Sequence, residues 1–298
     1  MKKILLSLAA IGAVAAVVVA GTGAFFSDTE TSTGNVFTAG AIDLTVDSEQ
    51  HYNGNVCTLG DWDEGSGTPD TYAWQGSAPY PVQGTPCDGT WLATDLGAHT
   101  FFNFDDIKPG DFGENTISLH VDSNDAYACV DVNITKNDDV TCTNPEEAAE
   151  GVGICENSNP SADFDGELAQ NLYFTAWSDW GATPGFQGND SGEGDNIWQQ
   201  GEPLLFSNDF GPASDVLGGV SYTLADSSTV PLTGGSTSYI GLAWCAGSMT
   251  VDTNTNNISC DGNGMGNDTQ TDSMVADIAF RVEQARNNDD FTCQGSTS

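Results

Sequence analysis

SMVADIAFRVEQ, Ser273 to Gln284, is the stretch that decides the fold. Met274, Ala276, Ile278, Phe280 and Val282 take every second position, with Asp277, Arg281 and Glu283 between them. Successive side chains of a strand point to opposite faces of its sheet, so period two predicts a half-buried strand. Working outward, Ile42, Leu44 and Val46 alternate with Asp43 and Thr45. The pattern recurs at Ile117, Leu119 and Val121, at Ala128, Val130, Val132 and Ile134, in NLYFTAW from Asn171 and in YIGLAW from Tyr239. Helical spacing is confined to the amino-terminal leader and EEAAEG near Glu146. Connections rich in Gly, Asn, Asp, Ser and Thr separate the strands, and two are read as long, about 48–98 and about 136–170. The expected class is all-β, a jelly-roll-like β-sandwich with long disulfide-stapled loops behind an amino-terminal signal helix.

The leader reads as an export signal. Lys2 and Lys3 precede an apolar run from Ile4 to Ala20, and the small residues Thr22 and Ala24 mark a cleavage site between Ala24 and Phe25. The run is longer than most such signals, so an uncleaved membrane anchor is the alternative. Cleavage would take away Lys2 and Lys3 and no acid, which moves the formal charge from −37 to −39. A surface that negative repels nucleic acid and anionic lipid. Basic-patch functions are therefore excluded, and nucleic acid is not an expected partner.

All eight cysteines lie beyond the leader, at 57, 87, 129, 142, 155, 245, 260 and 293. An even count on an exported chain predicts disulfides, and no C-x-x-C pair points to zinc or redox chemistry. Eight cysteines allow about 105 connectivities. Short loops favour Cys142 with Cys155, Cys245 with Cys260 and Cys57 with Cys87, which leaves Cys129 with Cys293.

Three stretches together resemble the family of TasA and camelysin-type proteins. AFFSDTETSTGNVFTAGAIDL from Ala24 is similar to the family's start, where a SipW-type signal peptidase cuts before an aromatic residue; Phe37, Gly40, Asp43 and Leu44 match its first strand. IKPGD, Ile107 to Asp111, resembles the turn before a long family strand, and DSMVADIAFRVEQARNN from Asp272 its last core strand. The cysteines and the two long loops depart from TasA. The resemblance implies a secreted jelly-roll subunit of an extracellular fibre, in a biofilm matrix or at the cell surface. Its partners would be further copies of itself, the signal peptidase and other matrix components. It divides the chain into a signal peptide (1–24), a donor strand (25–36) and one domain (37–298). The donor strand would present Phe25, Phe26, Thr29, Thr31, Thr33 and Val36 to the next subunit. Burying two phenylalanines is worth about 3–6 kcal/mol, which an exposed terminus forgoes. The alternative is that this segment folds back onto its own subunit.

Camelysin also raises a metallopeptidase reading. His51, His99 and His120 lie far apart without H-E-x-x-H, and no G-x-S-x-G occurs, so catalysis is not expected. No cofactor is expected except Ca²⁺. Acid and glycine cluster in DWDEG from Asp61, around Asp163 and Asp165, around Asp190 and Asp195, and after Asp261. Such loops supply oxygen ligands, although none fits an EF-hand, and the same residues serve turns. Seven tryptophans raise an adhesin or glycan-binding module as the second function. Asn133, Asn189, Asn257 and Asn267 head glycosylation sequons.

Overall fold

The computed structural model describes residues 27–32, 42–60, 71–97, 99–122, 124–150, 166–186 and 190–293. The signal peptide, the cleavage site at Ala24 and Phe25, Phe26, Thr33, Val36, Phe37, Gly40, Asp163 and Asp165 lie outside them.

Fourteen strands carry the described fold: β1 (Ser27–Ser32), β2 (Leu44–Tyr52), β3 (Asn55–Gly60), β4 (Thr71–Gln75), β5 (Trp91–Thr94), β6 (Phe112–Val121), β7 (Ala126–Asp138), β8 (Leu172–Ser178), β9 (Phe210–Pro212), β10 (Val220–Ala225), β11 (Ser236–Ala246), β12 (Ser248–Asp252), β13 (Asn257–Asp261) and β14 (Ser273–Gln284). One sheet runs β1-β14-β7-β10. The other runs β4-β3-β2-β6-β11-β8-β9, with β5 also on β2, and β12 and β13 form a separate ribbon. The all-β expectation is what the structure shows, and the strand pairs are antiparallel throughout.

The two sheets share one core. Leu44, Val46, Leu119 and Val121 of the larger sheet and Ala128, Phe280 and Val282 of the smaller are all buried within it. Phe280 meets Phe101 edge-on at 6.2 Å between ring centroids. The alternation read in β14 holds most strongly at its carboxy-terminal half, where Phe280 and Val282 are buried, while Met274, Ala276 and Ile278 are half-buried. A bulge between Val275 and Ala276 interrupts that strand's register on β7, and a bulge re-aims side chains.

The stretch 48–98, read as a long connection, holds the end of β2 and the whole of β3, β4 and β5. Asn53 and Gly54 take positive φ, 51° and 81°, in a two-residue turn that carries β2 directly into β3. Asn-Gly is the favoured pair for such a hairpin, because both central residues need the left-handed region. Sheet growth here follows from that turn, and Cys57–Cys87 then ties β3 to the segment after β4. The short helix expected at EEAAEG is present as Asn144–Glu150.

Two of the pairings favoured by loop length, Cys57–Cys87 and Cys245–Cys260, are present, and so is the remaining pair, Cys129–Cys293. Cys142 is also disulfide-bonded, and Cys155 lies outside the described residues. Cys129–Cys293 anchors the carboxy-terminal tail to β7. The IKPGD turn acts as a clamp. Pro109 and Gly110 (φ 89°) reverse the chain, and the Asp111 amide donates to the Lys108 carbonyl at 2.9 Å. The Asp111 carboxylate then accepts from the Tyr52 hydroxyl and the Asn53 amide, both at 2.8 Å, fixing the β2–β3 hairpin against the start of β6.

Candidate functional site

Strand β14 is where the sequence motifs and the sheet geometry meet. One of its edges is held by β7 along its full length, from Ser273 opposite Asp138 to Gln284 opposite Ala126. Its other edge receives β1, in a register from Ser27 opposite Glu283 to Ser32 opposite Ile278. Thr29 and Thr31 thus stand opposite Arg281 and Ala279. The described part of the segment read as a donor strand, Ser27–Ser32, therefore lies on its own subunit in the single chain, as the outermost strand of the smaller sheet. Ser273 to Asp277 extend past the β1 pairing. Arg281 stiffens the acceptor strand from its middle: it pairs with Asp131 of β7 at 3.3 Å and donates to the Cys293 carbonyl at 3.1 Å.

The three histidines have three separate settings. His51 faces Glu49 at 3.1 Å, and His120 bridges Asp47 at 2.7 Å and Thr237 at 3.0 Å. His99 stacks on Trp91 with ring centroids 4.8 Å apart. His120 is half-buried, with Asp47 and Thr237 flanking it from neighbouring strands.

Of the acids picked out as calcium candidates, three are described, and each organises a turn. Asp190 accepts from the Thr183 amide at 2.8 Å, Asp195 from Ile197 at 3.0 Å and Gln199 at 2.8 Å, and Asp261 from Asn263 at 3.0 Å. The loop 190–202 closes around two buried carboxylates that sequence reasoning passed over. Asp179 accepts the amides of Gly194 and Asn196, and Glu202 those of Gly181 and Gln199. Burial holds Asp179 up to about 6 and Glu202 up to about 7, against the partial relief those amides provide.

Among the described residues, carboxylates placed to share an ion are found elsewhere. One oxygen from each of Asp139, Glu146 and Asp272 lies within 4.8 Å of the others. Asp139 follows the end of β7, Glu146 sits on the helix Asn144–Glu150, and Asp272 immediately precedes β14. Glu150 and Glu167 stand beside them. Burial, with Glu150 next to it, pushes Glu167 up to about 8. Burial likewise raises Glu146, and Asp272 to about 6. A legible signal existed: Asp139, Glu146, Glu150 and Glu167 flank the 136–170 loop where it leaves and rejoins the sheets.

Trp74, Trp91, Trp177, Trp198 and Trp244 are buried, and Trp180 is half-buried. Among the described residues, these rings pack the interior rather than standing open on the surface.

Residues 1–62 match the family model described as camelysin metallo-endopeptidase. The match spans the leader, β1, β2 and β3, and it bears out the resemblance read from the amino-terminal motifs. No curated protein and no solved structure matches the chain.

Proposed function

We propose that the chain is an exported structural subunit of an extracellular or cell-surface fibre, and that it polymerises by passing its amino-terminal strand to the next copy. The pairing of β1 with the free edge of β14 carries this reading. It supplies both halves of a strand exchange: an edge that accepts a strand, and a segment whose register fits that edge. Continued in the same register, Phe25 would fall opposite Ala285 and Val36 opposite Met274, so the twelve-residue donor matches the length of β14. A copied strand exchanged between protomers repeats every contact it made at home, which makes exchange a low-cost route to assembly. The amino-terminal family match supports export, and the charge of the chain supports a life outside the cell.

The experiment is removal of residues 25–36. The truncated protein is expected to be a folded monomer by size-exclusion chromatography, with no fibres by negative-stain microscopy. A peptide of Phe25–Val36 is expected to bind it and to block assembly of the mature chain. Fibres identical to those of the mature chain would overturn the proposal. An exported metallo-endopeptidase is a further reading, carried by the name of the matching family. A protease assay with and without chelator tests it.

A further inference from the structure

We propose that Asp139, Glu146 and Asp272 form a calcium site at the neck of the 136–170 loop, independent of the turn acids Asp190, Asp195 and Asp261. The geometry fits a shared ion. Two oxygens on opposite sides of a Ca²⁺ at about 2.4 Å would be about 4.8 Å apart. One oxygen from each of these three side chains lies within 4.8 Å of the other two.

Proximity among acids is common on a chain of this charge; what sets this group apart is the burial of Glu146 and the open oxygens of Glu146 and Asp272. Glu146 is fully buried. Its Oε2 accepts from the Thr143 amide at 2.9 Å and the Thr271 hydroxyl at 3.4 Å, while its Oε1 has no hydrogen-bond partner. Asp272 repeats the arrangement. Its Oδ2 accepts from the amides of Glu167 at 2.6 Å and Leu168 at 2.8 Å, and its Oδ1 has none. Each carboxylate is therefore aimed by backbone donors through one oxygen and left open through the other. Outer-shell hydrogen bonds orient the carboxylates of metal sites in this way. A buried carboxylate oxygen without a donor is strongly unfavourable unless a cation or a proton meets it.

Among the described residues, no lysine or arginine is ion-paired with these carboxylates. Lys136, the nearest in sequence, is paired with Asp138 and Ser273. An all-carboxylate set without His or Cys selects a hard cation. Mg²⁺ demands stricter octahedral geometry and keeps its water, whereas Ca²⁺ accepts irregular clusters of carboxylate oxygens. The ion would join three chain segments: the exit of β7, the helix Asn144–Glu150 and the entry to β14.

The test is calorimetric titration of the mature protein, stripped of metal by chelator and dialysed, with CaCl₂, and with MgCl₂ at equal ionic strength. One Ca²⁺ per chain at this site is expected, with Mg²⁺ weaker. Glu146→Gln and Asp139→Asn are expected to weaken Ca²⁺ roughly tenfold or more. Asp190→Asn and Asp261→Asn are expected to leave that affinity unchanged. Hydrogen exchange on the unsubstituted protein gives a readout that does not depend on the variants folding. Ca²⁺ should slow exchange in 139–150, 166–172 and 269–275. No Ca²⁺ binding beyond that of Mg²⁺, full affinity in folded Glu146→Gln, or protection confined to 190–202 or 261–268 would each overturn the proposal.

Discussion

Strand exchange can be caught covalently, because the register pairs Thr31 with Ala279. The perturbation is one cysteine in each of two otherwise unchanged proteins, Thr31→Cys and Ala279→Cys, in a background whose described cysteines are all disulfide-bonded. The energetics favour a strand that can leave. Ordering eight residues, Phe25 to Ser32, costs about 8–16 kcal/mol in backbone entropy. Some six inter-strand hydrogen bonds return about 3–9 kcal/mol net. Burial of Phe25 and Phe26 in the same groove would add about 3–6 kcal/mol. The balance is within a few kcal/mol of zero, so β1 is held weakly at home and identically well on a neighbour, and concentration decides between them. Fibres grown from an equimolar mixture of the two variants are oxidised and run on a non-reducing denaturing gel. A covalent heterodimer is expected, approaching about half of the Ala279→Cys chains if donors are drawn at random. The double variant should give a ladder of covalent multimers when oxidised as fibres, and an internally bridged monomer when oxidised dilute. Fibres in which the mixture forms no heterodimer, and the double variant bridges only within single chains, would refute the reasoning.

Two further expectations concern the domain itself. Burial raises Asp179 to about 6 and Glu202 to about 7 in the folded state, from ordinary values of 3.8 and 4.5. The folded chain thus keeps protons that the unfolded chain gives up, and their stabilisation is fully present below about pH 4 and lost as pH rises through 6 to 7. The melting temperature should fall by several degrees from pH 5 to pH 8, and Glu202→Gln should flatten that slope; a melting temperature that rises over this range would contradict it. Gly241→Ala should destabilise strongly, since an added Cβ would lie 2.0 Å from Cε2 of the buried Trp177, directly opposite in the sheet. Overpacking of this kind costs roughly 1–3 kcal/mol or more, a fall of several degrees on thermal unfolding; an unchanged transition would show that the indole can move aside.

What could be read from the residues was whatever depended on neighbours in sequence. Alternation at Leu44–Val46, Ile117–Val121 and Met274–Val282 gave the strands, because a pleat imposes its period locally. Loop length sorted Cys57–Cys87 and Cys245–Cys260, since short separations close most often. The Asn53-Gly54 turn was equally local, and attention to its two left-handed residues would have turned a supposed loop into β2 and β3. The acidic cluster is different in kind. Asp272 is 126 residues from Glu146, and only the packing of β14 beside β7 brings them together. The burial of Asp179 and Glu202 has the same origin. Their sequence surroundings look like solvated turn, and it is the closure of 190–202 over them that excludes water.

An acceptor strand in an exchange mechanism has a requirement that a covered edge does not: it must stay formed while its donor is away. An unpaired edge is also a site for indiscriminate pairing, so the interval should be brief and the strand rigid. β14 meets this through what lies on its other sides. β7 pairs with all twelve of its residues, whereas β1 pairs with six. At its carboxy-terminal half, Arg281 is tied to Asp131 and to the Cys293 carbonyl, and Cys293 is bonded to Cys129, the β7 residue opposite Arg281. At its amino-terminal end stands Asp272, hydrogen-bonded to the amides of Glu167 and Leu168. The strand is thus fixed along one edge and at both ends by contacts that β1 does not make. Loss of β1 removes a covering strand and leaves the frame in place. That asymmetry is why the truncated protein should persist as a folded monomer with an open edge, and why a second copy of the same segment can close it.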